Sequence, residues 1–173
     1  MQREEALKLM KKNIKQDNLR KHCLAVEAVM AELANYFDKD EHKWRLAGLL
    51  HDIGKVLLPG DLWCILGELD SEEKEIIKKH PQLGADLLEE CNFQKEIIDI
   101  VKFHHEFWNG EGYPENISGS EIPLGARIVG LAEAYVSMIS YEFYSESIDK
   151  EQAFAKIKNE KKQQFDPEIV DAF

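Results

Sequence analysis

LAGLLHDIGK, residues 46–55, carries the reading of this chain. An apolar run leads into an adjacent histidine and aspartate, His51 and Asp52, and closes on Gly54 and Lys55. Trp44, Ala47 and Gly48 approach His51 by steps of three and four, so a helix here puts the imidazole on its apolar face. Working outward, the same juxtaposition recurs. His22 lies within the stripe Leu19, Cys23, Val26, Met30, Leu33, and His80 within Ile76, Leu83, Leu87. His104 and His105 follow Ile97, Ile98 and Val101, while Ile122, Ala126, Val129 and Val136 enclose the carboxylate of Glu133.

Five helical faces therefore each aim a histidine or a carboxylate inward. An unpaired buried charge such as Glu133 costs several kcal/mol, of order 3–5 when a partner is missing, and metal ions remove that cost. A single such residue reads first as a satisfied core histidine, or as a core glutamate paired with Arg or Lys. Five elements sharing one ligand chemistry favour metal. Imidazole nitrogen with one or two carboxylates suits first-row transition ions, whereas magnesium and calcium sites are built from oxygen. Iron or manganese is expected ahead of zinc, nickel or cobalt.

Composition sets the outer limits. The 173 residues, 44% of them hydrophobic, suffice for one core, and a single domain over 1–173 is expected. A formal charge of −11 argues against a nucleic-acid polymer as partner, because Lys and Arg supply most of that affinity. No apolar run reaches the ~20 residues of a membrane span, and no signal-peptide core is present. Cys23, Cys64 and Cys91 are scattered and odd in number, which reads as buried thiols in a reducing, cytoplasmic setting.

Periodicity is helical throughout. Helices are expected near 3–15, 17–37, 41–54, 71–90, 92–107, 122–141 and 149–161, with a short one after Pro167. Asp17, Ser71 and Asn92 stand where N-caps are wanted, Gly54 closes the third helix, and Pro81 kinks the fourth just after His80. The long irregular stretch is WNGEGYPENISGSE, 108–121, directly after the histidine doublet, a placement that marks it as functional. The fold class is all-α, a helical bundle with a metal site between its helices. Oligomeric state is not legible, since the aromatics Trp63, Phe143 and Tyr144 pack equally well within one chain.

LAGLLHDIGK resembles the signature of the HD superfamily of metal-dependent phosphohydrolases. His104-His105-Glu106 followed by Asn109-Gly110-Glu111-Gly112-Tyr113-Pro114 resembles the HD-GYP subgroup, as do Ile122-Pro123-Leu124, Ala126-Arg127-Ile128 and the closing FDPEIVDAF, 165–173. The opening REEALKLM and KHCLAVEAVM are similar to small stand-alone HDIG proteins. The resemblance implies two metal ions bridged by Asp52. His22, His51, Asp52 and Glu133 would hold one, and Asp52, His80, His104 and His105 the other. Such paired ions lower the pKa of a shared water and neutralise phosphate oxygens. The resemblance also makes Asp52 and Lys55 catalytic, with Lys55, Tyr113 and Gly112 binding substrate. By residue chemistry alone, Lys55 reads equally as a surface lysine at a helix C-terminus, and Tyr113 as part of an exposed turn.

The chain departs from the subgroup in several places. Glu133 stands where the family has aspartate, and in AEAYVSM Val136 replaces a second acid. YEFYSES, 141–147, lacks the arginine that helps grip cyclic di-GMP in the subgroup. Asn18 replaces the glutamate of a three-metal variant, so two ions are expected. The implied activity is hydrolysis of a phosphomonoester or phosphodiester of a small nucleotide-like molecule, in its most specific form a cyclic dinucleotide. A non-enzymatic HD-type binding module and a di-iron oxygenase are the alternatives.

Overall fold

The computed structural model describes residues 1–59, 70–140 and 147–173. Among them regular structure is helical: α1 (Arg3–Asn13), α2 (Asp17–Tyr36), α3 (Glu41–Leu50), a 3-10 turn (Ile53–Leu57), α4 (Ser71–Ile77), α5 (His80–Glu90), α6 (Lys95–Phe103), α7 (Leu124–Ile139), α8 (Lys150–Asn159) and α9 (Pro167–Ala172). None of these helices is long and apolar enough to cross a membrane. Cys64, Trp63, Phe143 and Tyr144, and nearly all of the 141–147 segment, lie outside the described residues.

The core forms where the apolar stripes meet. Helix α2 lies along α3 and also touches α7, while α5 packs on α6 and on the 53–57 turn. Trp44, Met30, Leu49, Leu50, Ile53, Ile128 and Leu131 are almost wholly buried between them. Two buried carboxylates tie the periphery to this core. Glu27 accepts from Arg3 of α1, with Nη2 at 2.8 Å, and from Nε of Arg45 in α3 at 3.1 Å. Asp166 caps α9 by accepting from the Glu168 amide at 2.8 Å and pairs with the Arg127 guanidinium of α7. These pairs satisfy charges that would otherwise be costly to bury.

Several expected boundaries move. Residues 71–90 form two helices, and the break precedes His80: Lys79 is the N-cap and Pro81 occupies the first turn of α5, where its missing N–H costs nothing. The break resets the helical phase, so Pro81, Gly84, Ala85 and Leu88 are buried while Leu83 and Leu87 are only half-buried. Asp70, not Ser71, caps α4, completing a capping box with Glu73. Gln16 precedes α2 at the N-cap, with Asp17 as its first residue. Gln94, not Asn92, caps α6, and Asn92 takes φ 55° just beyond the α5 C-cap, the left-handed conformation that ends a helix. That turn carries Cys91 outward, so this thiol is exposed, and of the two described cysteines Cys23 matches the buried reading.

Helix α3 ends at Leu50, with Gly54 inside the following 3-10 turn. A Cβ on Gly54 would stand 2.0 Å from the His80 carbonyl oxygen and 2.5 Å from the Gly84 nitrogen. Gly54 thus lets the 53–57 turn lie directly on the first turn of α5, and this contact places His80 beside Asp52.

Candidate metal centre

Three histidines are oriented by the same local device. His51 caps α3 with Nδ1 2.7 Å from the Gly48 carbonyl oxygen, His80 opens α5 with Nδ1 2.8 Å from Ile77 O, and His104 caps α6 with Nδ1 2.6 Å from Val101 O. A carbonyl oxygen only accepts, so each Nδ1 carries the proton and each Nε2 presents a lone pair to the interior. This is the orientation that backbone carbonyls impose on ligating histidines.

Those lone pairs converge. His80 Nε2 and His104 Nε2 are 3.3 Å apart. With both Nδ1 atoms already protonated, neutral rings have no hydrogen to place between them, and two facing lone pairs repel unless an electrophile sits there. Asp52 is fully buried and faces both ways. Its Oδ2 lies 3.4 Å from His51 Nε2 and 4.0 Å from His22 Nε2, and its Oδ1 lies 3.3 Å from His80 Nε2. His51 Nε2 and Asp52 Oδ1 are buried without a hydrogen bond. Lys55 Nζ meets Asp52 Oδ2 at 2.7 Å.

The donors fall into two groups, His22–His51–Asp52–Glu133 and His80–His104–His105, whose ligand atoms within each group all lie within 4.8 Å of one another. Glu133 reaches beyond its own group: its Oε2 is 3.9 Å from His104 Nε2 and 3.7 Å from His105 Nε2. The longer glutamate side chain therefore faces both groups, as Asp52 does from the other side. All seven residues singled out in the sequence as ligands come together, and five imidazoles with two carboxylates fit first-row transition ions.

Electrostatics favour the ligand-ready forms. Burial opposes the charge on Asp52, but Lys55, His51 and His80 outweigh it and hold the carboxyl well below the usual range. Burial lowers His51, and burial together with neighbouring histidines pushes His104 and His105 well below an ordinary imidazole. Glu133 is held down by His104, His51 and Lys55 against burial and Asp52. Lys55 is raised because Asp52 and Glu133 outweigh its desolvation. Neutral imidazoles and ionised carboxylates are what metal binding requires.

The irregular segment after α6 is fastened to the centre. Tyr113 donates its amide to His105 O at 3.1 Å and stacks on the His105 ring at 4.8 Å and 20°. Burial raises its phenol, which stays protonated. Gly112, expected at the substrate, has a packing role in the structure. It is buried, and a Cβ would meet Phe107 N at 2.3 Å and Glu106 Cα at 2.5 Å, so glycine is needed for the loop to close onto His105–Phe107. Sequence reasoning gave no role to Glu106, a buried carboxylate whose Oε1 accepts from the Glu115 amide at 2.6 Å and holds this loop. Its place next to the histidine doublet was the available signal. The Arg127–Asp166 clamp was also missed, because nothing local to either residue names the other.

A bundle of helices that turns five histidines and two carboxylates onto one buried point defines a helical metal-site domain. The family model described as HD domain matches residues 2–169, and the chain belongs to that family. Its features are those of the HD-GYP type. It is 36% identical over 131 residues to a cyclic di-GMP phosphodiesterase of Vibrio cholerae, covering 72% of this chain and 27% of that protein. It is 32% identical over 151 residues to the cyclic di-GMP phosphodiesterase response regulator RpfG of Xanthomonas campestris pv. campestris, covering 85% of this chain and 39% of the relative. The chain thus spans less than half the length of these curated relatives. In fold it is similar to Bd1817, an HDG"Y"P protein from Bdellovibrio bacteriovorus, with TM-score 0.73 and 24% identity over 97% of this chain and 55% of that one.

Proposed function

We propose that this chain is a metal-dependent phosphodiesterase module that hydrolyses a small nucleotide-like phosphodiester, a cyclic dinucleotide in its most specific form. The observation that carries the reading is the pairing of the His80 and His104 lone pairs, 3.3 Å apart, with a buried Asp52 whose two oxygens face different histidine groups. Two divalent ions fit this donor set, iron or manganese ahead of zinc, nickel or cobalt, held by His22, His51, Asp52 and Glu133 on one side and Asp52, His80, His104 and His105 on the other. Bound there, they would activate water and neutralise phosphate charge.

The chain's own groups supply the rest. Lys55, charged at neutral pH and 18% exposed beside Asp52, is the cation for a substrate phosphate oxygen. Tyr113 keeps the His105 ring in plane by stacking and walls that side of the site. The two curated relatives named above are cyclic di-GMP phosphodiesterases, which supports a cyclic dinucleotide here; in this reading residues 1–173 act as one catalytic unit in the cytoplasm.

The test is elemental analysis of protein purified without chelator, followed by hydrolysis assays with each metal on cyclic dinucleotides and generic phosphodiesters. About two ions per chain and hydrolysis that His51→Ala abolishes are expected. Wild type and His51→Ala behaving alike on every substrate would overturn the proposal, and little stoichiometric metal would point to a binding module. Iron-dependent oxygen consumption would replace hydrolysis by oxidation.

A further inference from the structure

We infer that the cavity flanking the centre along α7 is a subsite for the nucleobase of the substrate, an inference that rests on the phosphodiesterase reading. The seven donor side chains differ in access. Asp52 and His51 are 0% exposed, His80 1% and His22 5%, whereas Glu133 is 13% and His105 20% exposed. The centre therefore meets solvent along the His105–Glu133 edge. A cavity of about 180 Å³ opens there, lined beyond these two residues by Trp108, Phe165, Ser137 and Gln164 among others.

The helix leaves this space empty for a reason of sequence. Ala134 and Ser137 fall on one face of α7, and neither carries a side chain large enough to fill the gap. Gly130, one turn earlier, also lines it, but a Cβ there would meet His104 O at 2.6 Å, so that glycine serves the α7 approach to His104.

The lining then selects the chemistry of the occupant. The charged pair in the wall, Arg127 and Asp166, is spent on itself: Arg127 also donates to Ile122 O at 2.9 Å, and Asp166 also accepts from the Glu168 amide. Among the described lining residues no free cation remains for a second phosphate. Ser137 and Gln164, by contrast, bring a hydroxyl and a primary amide whose side chains make no hydrogen bond among the described residues. The indole of Trp108, whose ring lies 5.7 Å from the Arg127 guanidinium carbon, and the ring of Phe165 add flat apolar surface. A neutral, planar group with hydrogen-bonding edges meets all of these terms, and on a nucleotide that group is the base.

The experiment measures binding to the metal-replete chain by calorimetry with GMP, AMP and ribose 5-phosphate, probes that share a phosphomonoester and differ in the base. Wild type should bind a purine nucleotide roughly tenfold or more tighter than ribose 5-phosphate, in line with the worth of stacking one base. Ser137→Phe, which fills the cavity, should erase that advantage with metal content unchanged, and Gln164→Leu should reduce it. Equal affinity for all three probes in wild type, or an advantage intact in both variants, would overturn the subsite. Should Ser137→Phe also lose ribose 5-phosphate, Gln164→Leu, which adds no bulk, decides: a reduced base advantage supports the subsite and an unchanged one rejects it. Wild type that binds none of the probes would instead count against the phosphodiesterase reading itself.

Discussion

Substituting Gly54 by alanine isolates the contact on which the centre depends. The new Cβ would stand 2.0 Å from His80 O, 2.5 Å from Gly84 N and 2.9 Å from His80 C, all of them backbone atoms with no rotamer to yield. Restoring a tolerable 3.0 Å to the carbonyl oxygen requires the 53–57 turn and α5 to part by about 1 Å. Overpacking of this kind costs ~1–3 kcal/mol, which a domain of ordinary stability survives. The centre should not survive it. Asp52 precedes Gly54 by two residues and His80 is the obstacle itself, so their 3.3 Å approach opens by a similar amount. Metal–donor distances tolerate only ~0.2 Å. Gly54→Ala should therefore remain folded by circular dichroism and urea titration, yet lose metal by elemental analysis and lose hydrolysis with it. Gly84→Ala is the graded comparison, since its Cβ would lie 3.2 Å from Gly54 N and from a Val101 methyl carbon and needs far smaller adjustment. Full metal occupancy in Gly54→Ala would refute the claim that this glycine sets the His80–Asp52 geometry.

Other perturbations separate the remaining roles. Asp52→Ala should release metal, because each donor group loses one oxygen of the shared carboxylate, whereas Lys55→Ala should keep metal and raise KM or lower kcat; metal loss in Lys55→Ala would refute its assignment to substrate. Folded His51, His104 and His105 titrate below the ordinary 6.5, so the unfolded chain binds more protons as pH falls below that value. Urea titrations of metal-free protein should show stability lost progressively from about pH 6.5 downward, and a flat profile between pH 8 and 5.5 would contradict the buried neutral imidazoles. Arg127→Ala leaves Asp166 buried without its cation and should cost about 3 kcal/mol, the lower end for a broken buried pair because Arg127 is 17% exposed. A thermal melt with an unchanged midpoint would show that the α7–α9 clamp contributes nothing.

Much of the site was legible because helical spacing ties ligands to apolar faces. His22 within Cys23, Val26 and Met30, and Glu133 within Ala126, Val129 and Val136, could be placed inward without coordinates. The method failed where phase is reset. Across 71–90 the periodicity reads as one helix kinked just after His80, but the chain breaks before His80 and rotates α5, so the buried face is Pro81, Gly84, Ala85 and Leu88 and not Leu83 and Leu87. His80 still lands inside because it begins the new helix. Cap positions slipped by one or two residues for a similar reason: Asp70 and Ser71 both satisfy the local chemistry, and the capping box with Glu73 selects Asp70.

By itself the sequence determined an all-helical chain and the identity of seven candidate ligands, because periodicity and residue chemistry are local properties. Tertiary structure alone decided that those ligands meet at one point, that Asp52 shows one oxygen to each group, and that Glu133 extends to His104 and His105. It also decided why Gly54 and Gly112 are glycines, since the backbones they admit come from segments distant in the chain or folded back upon it. Convergence depends on how helices cross, and crossing is set by long-range packing that no window of sequence contains.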